Sequence, residues 1–277
     1  MALIKLLGSA PNQVSTNKNF GTMAWQNANG VQLTGDAVIN SLTVGLGSGN
    51  IATNSAYGYQ ALLSNTTGYQ NVSNGYQAGF SLTNGYANTF TGYRCGYGVT
   101  TGINNVFYGS GIASNTAGLT GIQNVSIGSN SLFSLTSGSY NTNCGHNGLS
   151  SLLTGNGNTS LGNIAGASTT GSNSTFIGYN AGGTATTGSN NIFIGKDSSP
   201  SATTVSNEIT IGNSSNTVIR YPHSYSTVSA LPSASTVGRG SRTFVTDASL
   251  PVFQAIVAGG GAVFTPVYSD GTNWRVG

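Results

Sequence analysis

Short apolar segments alternate with polar turns along most of this chain, and each segment ends at a glycine. Three apolar residues precede Gly195, and Thr175-Phe176-Ile177 stands in the same place before Gly178, 17 residues earlier. β-Branched and aromatic residues favour strands, and the flanking Asn and Gly favour turns. The glycine recurs at spacings of 16, 17 or 19 residues, at Gly58, Gly75, Gly92, Gly109, Gly128, Gly145, Gly162, Gly178, Gly195 and Gly212. A near-constant period over this length is typical of a repeat architecture.

The residues one and three positions before each repeat glycine share a face of the predicted strand, because side chains alternate across a strand. Val125 and Ile127 hold these positions in one copy, and Ile192 and Ile194 hold them in another. We predict that this face is the interior of the repeat region. Polar members such as Asn74 predict a tighter or partly wet interior in the earlier copies.

An asparagine stands four residues before eight of the ten repeat glycines, at Asn54, Asn71, Asn88, Asn105, Asn124, Asn141, Asn158 and Asn191. One residue type in one column predicts a ladder of side-chain amides, each bonded to the copies before and after it. Such a ladder requires parallel strands stacked in register. At ~4.8 Å per layer, ten layers would make a rod of roughly 48 Å.

The columns together predict an all-β fold. We expect an elongated parallel β-solenoid, β-roll or triple β-helix of ten ~17-residue repeats, followed by a small C-terminal β tip. The predicted regions are an N-terminal attachment segment and cap over 1–53, the shaft over 54–214, a linker over 215–228 and the tip over 229–277. One 17-residue coil encloses little apolar volume, so we expect several chains to share a core, most simply as a homotrimer.

Strands are also predicted outside the repeats. Ala37–Val44 reads as one strand leading into the stack. In the tip, Thr243–Thr246 and Val263–Ser269 read as strands, and Asn273–Val276 is expected to pair with the second across an Asp270-Gly271 turn.

Few residues carry charge. The 277 residues include eight Lys or Arg and five Asp or Glu, with a formal net charge of +3. The basic residues are scattered, which argues against nucleic-acid binding. The 13 Tyr and 10 Phe and the strict period argue against disorder.

The chain offers little catalytic chemistry. Cys95 and Cys144 are predicted to be free thiols three layers apart, with Cys144 in the interior column. The two histidines and the cysteines do not match a zinc spacing, and no acidic residues are close in sequence. We therefore expect no catalytic residue, no cofactor and no metal site, and we predict that the protein is not an enzyme.

No stretch is apolar and long enough for a membrane span, and the N-terminal apolar run is too short for a signal peptide. Synthesis in a cytoplasm without a secretion signal is the expectation.

Aromatic residues cluster at two places near the N-terminal side. Tyr59, Tyr76 and Tyr93 follow three successive repeat glycines and are expected to stack in one column. Such a column serves as a sheet ladder or as a surface for sugars, and we favour the ladder. Phe20, Met23 and Trp25 are large apolar residues in a polar segment, and they suit docking onto another protein or capping of the first layer.

Three segments resemble known viral proteins. The repeat, as in 172–182, resembles repeats of phage tail fibres and of the β-roll heads of trimeric adhesins. Pro11 to Asn17 with Gly21 to Ala24 looks like the virion-attachment segment of phage fibres. Leu231 to Ala234, Phe244 to Ala248 and Pro266 to Trp274 look like a C-terminal module of phage tail proteins.

The resemblance implies a homotrimeric fibre of the virion, on the tail or the capsid. Residues 1–53 would dock on other virion proteins, and the tip would meet a glycan or protein of the host surface. The host contacts are predicted at Tyr268, Asp270, Asn273 and Trp274. The alternatives are a purely structural spacer or capsid decoration, a depolymerising tailspike, and a bacterial trimeric adhesin, which the lack of a signal peptide and of an amphipathic C-terminal anchor disfavours.

Overall fold

The computed structural model describes residues 23–27, 30–33, 36–39, 42–115, 118–216, 227–249, 253–256, 258–261 and 263–277. The chain divides into two compact units, Met1–Asn216 and Thr217–Gly277. The predicted linker falls mostly on residues outside those described.

The first unit is built of short strands. In chain order they are β1 (Met23–Asn27), β2 (Gly30–Leu33), β3 (Ala37–Ile39), β4 (Leu42–Gly45), β5 (Ser55–Gly58), β6 (Val72–Asn74), β7 (Thr89–Thr91), β8 (Val106–Tyr108), β9 (Val125–Ile127), β10 (Thr142–Cys144), β11 (Thr159–Leu161), β12 (Thr175–Ile177), β13 (Ile192–Ile194) and β14 (Ile209–Ile211). Strands β1 and β2 form an antiparallel pair, and β3 to β14 form one sheet in sequence order.

Strands β5 to β14 are parallel and pair without a register shift, so each repeat adds one rung to a β-solenoid. This confirms the predicted fold class. The prediction of one strand over Ala37–Val44 was wrong, because β3 and β4 form an antiparallel hairpin there. Strand β4 also pairs antiparallel with β5, which extends the sheet past the first repeat.

Each repeat glycine lies where the strand turns and the next rung passes close by. Gly128 has φ of 130°, and a Cβ added there would lie 2.4 Å from the carbonyl oxygen of Gly145 in the following rung. A side chain at this position would therefore meet both a strained backbone and the neighbouring rung. This double constraint explains why the column is invariably glycine.

The buried asparagine column forms the predicted amide ladder. The Oδ1 atom of Asn105 accepts from the backbone N–H and the Nδ2 of Asn124, both at 3.0 Å. Asn124 Nδ2 also donates to the Gly138 carbonyl, and Asn124 Oδ1 accepts both from the backbone N–H and from Nδ2 of Asn141. The same pattern recurs from Asn71 to Asn158, and beyond it Ser174 and Glu208 join the column through their backbone N–H groups. The ladder satisfies buried polar groups that the tight turns would otherwise leave unpaired.

The prediction of which strand face is interior was wrong. The middle residue of each strand is the one that points inward. The inward residues are Ala56, Ser73, Phe90, Phe107, Ser126, Asn143, Ser160, Phe176, Phe193 and Thr210, and all but the last are buried. Positions one and three before the glycine point to solvent, and Cys144 is consequently exposed.

Side-chain size is balanced in several rungs of the narrow interior. Where Phe176 points inward, Gly182 lies beside it, and a Cβ added at Gly182 would be 2.4 Å from the Phe176 ring. Where Ser126 points inward, Leu132 and Leu135 are the large buried side chains. The available volume therefore limits the inward strand position, and leucines from the opposite wall supply apolar bulk where that position is small.

The second unit is a small antiparallel sheet of β15 (Arg242–Ala248), β16 (Val263–Ser269) and β17 (Trp274–Val276), in that order. A 3-10 turn at Val228–Ala230 and a four-residue helix α1, Ala234–Val237, precede it. The three predicted tip strands are thus confirmed. Its core is a cluster centred on Val245 and Val267.

Candidate interaction surfaces

The solenoid presents one regular apolar surface to solvent. We call it the outward face: the residues one and three positions before each repeat glycine, from Ser55 and Tyr57 to Ile209 and Ile211. None of these residues is charged. Its large apolar members include Ile209 at 66% and Tyr108 at 62% relative exposure. Monomeric proteins rarely expose contiguous apolar patches of this kind.

The outward face changes character along the stack. Across β5 to β8 it includes Ser55, Asn74, Thr89 and Thr91 as well as two tyrosines and two valines. From β9 to β14 the position before the glycine is aliphatic except at Cys144. The C-terminal part of this face is therefore the more apolar one.

The tyrosine columns stack as predicted. The rings of Tyr59 and Tyr76 lie 5.2 Å apart, and Tyr76 and Tyr93 are also 5.2 Å apart, with interplanar angles of 18° and 10°. Within the column, neighbouring rings cover each other's faces, which confirms the predicted stacking. A second pair, Tyr69 and Tyr86, stacks at 4.7 Å.

The predicted virion-docking residues lie at the edge of what the structure describes. Phe20 is outside the described residues. Met23 and Trp25 lie in β1, and only their backbone is described. Their proposed role stays a prediction.

Asp270, one of the four predicted host contacts, closes the turn between β16 and β17. Its Oδ1 accepts from the backbone N–H groups of Thr272 and Asn273, and its Oδ2 pairs with Arg275 at 2.6 Å. These contacts, led by the hydrogen bond from Asn273, lower the pKa of Asp270 to about 2. Asp270 is therefore engaged in the turn itself.

Trp274 is also engaged internally, because its indole N–H donates to the Pro232 carbonyl at 2.7 Å. Tyr268 is different. It lines a cavity of about 640 Å³ whose walls are Gly240, Arg242, Thr243, Phe244, Phe253, Pro266, Val267, Tyr268 and Gly277. Of the four predicted contacts, Tyr268 alone lines this cavity.

Potential metal ligands and catalytic groups are dispersed. Within the described residues, no three His, Cys, Asp or Glu side chains come together in a way that could hold a metal ion. In the solenoid, Glu208 bonds to Ser201 and Thr210, and Asp197 bonds to Asn180 and Lys196. Across all the described residues, no helix is long and apolar enough to span a bilayer.

Fold and surface define the class of protein: a parallel β-solenoid of ~17-residue rungs with a small antiparallel C-terminal sheet. No family model, no curated protein and no solved structure matches this chain.

The sequence pattern did not reveal that the outward face is exposed, because these positions were assigned to the interior. The middle strand position holds the signal for the buried face, because small serines and Asn143 are mixed there with large phenylalanines, as volume limits in a narrow interior would require. Complementary leucines four residues after the glycine, such as Leu132 and Leu149, could have identified the inward column.

Proposed function

We propose that this chain is the shaft and tip of a homotrimeric phage fibre that attaches a virion to the host surface without catalysis. The observation that carries the proposal is the uncharged outward face, which is exposed in a single chain. Burying such a surface is favourable by about 25 cal/mol per Å² of apolar area. In an isolated chain Ile209 and Ile211 are 66% and 64% exposed, so they contribute little of this burial free energy.

Association of identical chains suits the regularity of this face. Around an axis parallel to the stack of rungs, residues of one rung in each copy meet at the same height. Each rung then contacts its own equivalent, so the aliphatic rungs at the C-terminal end of the stack meet one another, and cyclic symmetry closes the assembly without leaving an open end. The small C-terminal sheet would gain stability in the same assembly, since domains of its size are marginal alone.

The attachment role is supported by the terminal segments, whose resemblance to phage fibre proteins is given above. In the tip, the cavity beside Tyr268 also includes Arg242 and Phe253. Concave sites with aromatic walls and one cation are suited to polar ligands such as glycans. Host-surface glycan is accordingly the proposed ligand, and residues 1–53 are the proposed contact with the virion.

A purely structural spacer or capsid decoration is the second candidate. Its support is that Asp270 and Trp274 use their polar groups inside the tip. The two candidates differ in one observable. Fluorescently labelled full-length protein binds host cells if the fibre attaches to them, and Tyr268→Ala then weakens that binding; a spacer binds no host surface.

The trimer is tested by light scattering on the full chain. Wild type is expected to have the mass of three chains. Ile194→Glu places a charge on the outward face and should reduce the mass to that of one chain. The matched control is Leu153→Glu, which should remain trimeric: Leu153 is an apolar residue away from the outward face and is 45% exposed, against 36% for Ile194. A wild-type mass of one chain, or equal dissociation of both variants, would contradict the proposal.

A further inference from the structure

We infer that the solenoid carries a binding site for a carboxylate-bearing saccharide at the turn after β7, centred on Arg94. Arg94 is the only arginine among residues 54–214. The same column holds Gln60 and Gln77 in the preceding rungs and Gly111 in the next. A guanidinium replacing an amide at one rung of a chain with so few charges calls for a physical reason.

The Arg94 guanidinium is held in place by a neighbouring ring and has no anionic partner among the residues that the structure describes. Its Cζ lies 4.2 Å from the centroid of the Tyr97 ring. Phe80 stacks on that ring at 4.9 Å with an interplanar angle of 8°, so the guanidinium lies over the opposite face. The Nε atom is buried and has no acceptor among the described residues. The two ion pairs found among the described residues join Lys196 to Asp197 and Arg275 to Asp270, so neither involves Arg94.

Two aromatic columns end at this same rung. Tyr93 is the last ring of its column, because the next rung has Ser110 there. Tyr97 is followed by Ser114 in the same way. We call this arrangement the aromatic step: Tyr93, Arg94 and Tyr97 with the small Ser110 and Ser114 of the following rung.

The step leaves one face of the Tyr93 ring without a stacked tyrosine of its column, and Tyr93 is 56% exposed. The C–H face of a pyranose can pack on such a ring, as apolar groups pack on aromatic faces generally. The guanidinium of Arg94, the next residue in the chain, can donate two hydrogen bonds to a carboxylate, a group that a neutral sugar lacks. The two features together select a sugar acid over a neutral sugar.

The aromatic step lies on the turn after the repeat glycine. It is separate from the outward face and from the predicted tip contacts, so it shares only the ligand class with the proposed function. A negative result here would leave both the trimer and tip attachment standing.

The test measures binding of trigalacturonate to the full-length protein by calorimetry, with neutral maltotriose and glucose 6-phosphate as comparison ligands. Arg94→Gln and Tyr93→Ser use residues that the chain itself has in those columns, so both variants should fold. Arg94→Gln is expected to weaken trigalacturonate binding tenfold or more, and Tyr93→Ser threefold or more. Lys196→Gln removes one positive charge elsewhere on the solenoid and should leave binding unchanged.

Failure of the wild type to bind trigalacturonate would overturn the inference. Equal weakening by Lys196→Gln would also overturn it, because binding would then reflect net charge alone. Arg94-dependent binding of glucose 6-phosphate without binding of trigalacturonate would replace the carboxylate by a phosphate and contradict the assignment. Unchanged thermal unfolding of each variant shows that a loss of binding is local.

Discussion

The parallel sheet of the solenoid has an inward and an outward face, and hydrophobicity alone would assign each of them to the wrong side. The inward column mixes phenylalanine with serine, asparagine and alanine, and nearly all of it is buried. The outward column is richer in valine, isoleucine and leucine, and many of these are exposed. The more uniformly aliphatic face is therefore the one in contact with solvent in a single chain.

The difference shows that two separate demands shape one strand. The inward position is constrained by volume. A small polar side chain there can find a partner inside the coil, as between the hydroxyls of Ser126 and Ser131 at 2.6 Å. The outward position has no volume limit within the chain. Its aliphatic character has no stabilising role until another surface covers it.

Adjacent aromatic residues on β8 give the largest expected contrast. Phe107 is fully buried and stacks on Phe90 at 5.6 Å, whereas Tyr108 points outward. Phe107→Ala should lower the free energy of unfolding by about 3–5 kcal/mol, because it leaves a cavity in a rigid stack. Tyr108→Ala should lower it by less, because Tyr108 is 62% exposed within one chain and leaves no cavity there. Urea unfolding followed by circular dichroism measures both.

Equal costs for the two substitutions would contradict the assignment of faces. A larger cost for Tyr108→Ala would mean that the covered outward face, more than the interior, dominates stability.

The amide ladder gives the next largest effect, because it lies inside the same narrow coil. Asn124→Ala would leave the backbone N–H of Asn141 and the carbonyl of Gly138 without their present partners. Two unsatisfied buried groups should cost about 2–4 kcal/mol of unfolding free energy. Asn84→Ala removes an exposed amide and is the control, with an expected change within about 0.5 kcal/mol. Comparable shifts in the urea midpoint would show that the ladder adds no stability.

The sequence was sufficient for the period, the parallel register and the asparagine ladder, because each depends on one residue type recurring in one column. Gly128 and its equivalents mark the turn, and Asn124 and its equivalents mark the ladder. The sequence pattern did not show which strand face is buried. Alternation of side chains defines two faces, but it does not tell which of them is enclosed. Rung volume decides it, through pairs such as Phe176 with Gly182.

Other features depended on contacts that are distant in sequence. The hairpin between β3 and β4 breaks an apolar run that reads as one strand, and Asp36 accepts hydrogen bonds from the backbone N–H groups of Leu46 and Gly47 at its end. In the tip, the bond from Trp274 to Pro232 joins residues 42 apart. Local patterns contain no information on such partners, so the engagement of Trp274 could not be foreseen.

The two cysteines provide the smallest and most direct comparison of inside with outside. Cys95 is buried, and burial raises the pKa of its thiol from 9.0 to about 12, against a smaller opposing effect of hydrogen bonds with the backbone of Thr91 and Gly109. The folded chain then retains a proton that the unfolded chain releases above pH 9. Stability linked to this thiol is complete below pH 9 and is lost as pH rises towards 12. At pH 10 the loss should be about 1 kcal/mol.

Cys95→Ala tests this with a residue that the chain has at the same position in two preceding rungs, Ala61 and Ala78. Urea midpoints at pH 8, 9, 10 and 11 should fall less steeply for Cys95→Ala than for the wild type. Cys144→Ala, which changes the exposed thiol, should follow the wild type. If Cys95→Ala and the wild type fall in parallel, the Cys95 thiol is not enclosed, and the inward assignment of that wall of the coil is wrong. If Cys144→Ala alone flattens the curve, the inside and the outside of the coil must be exchanged.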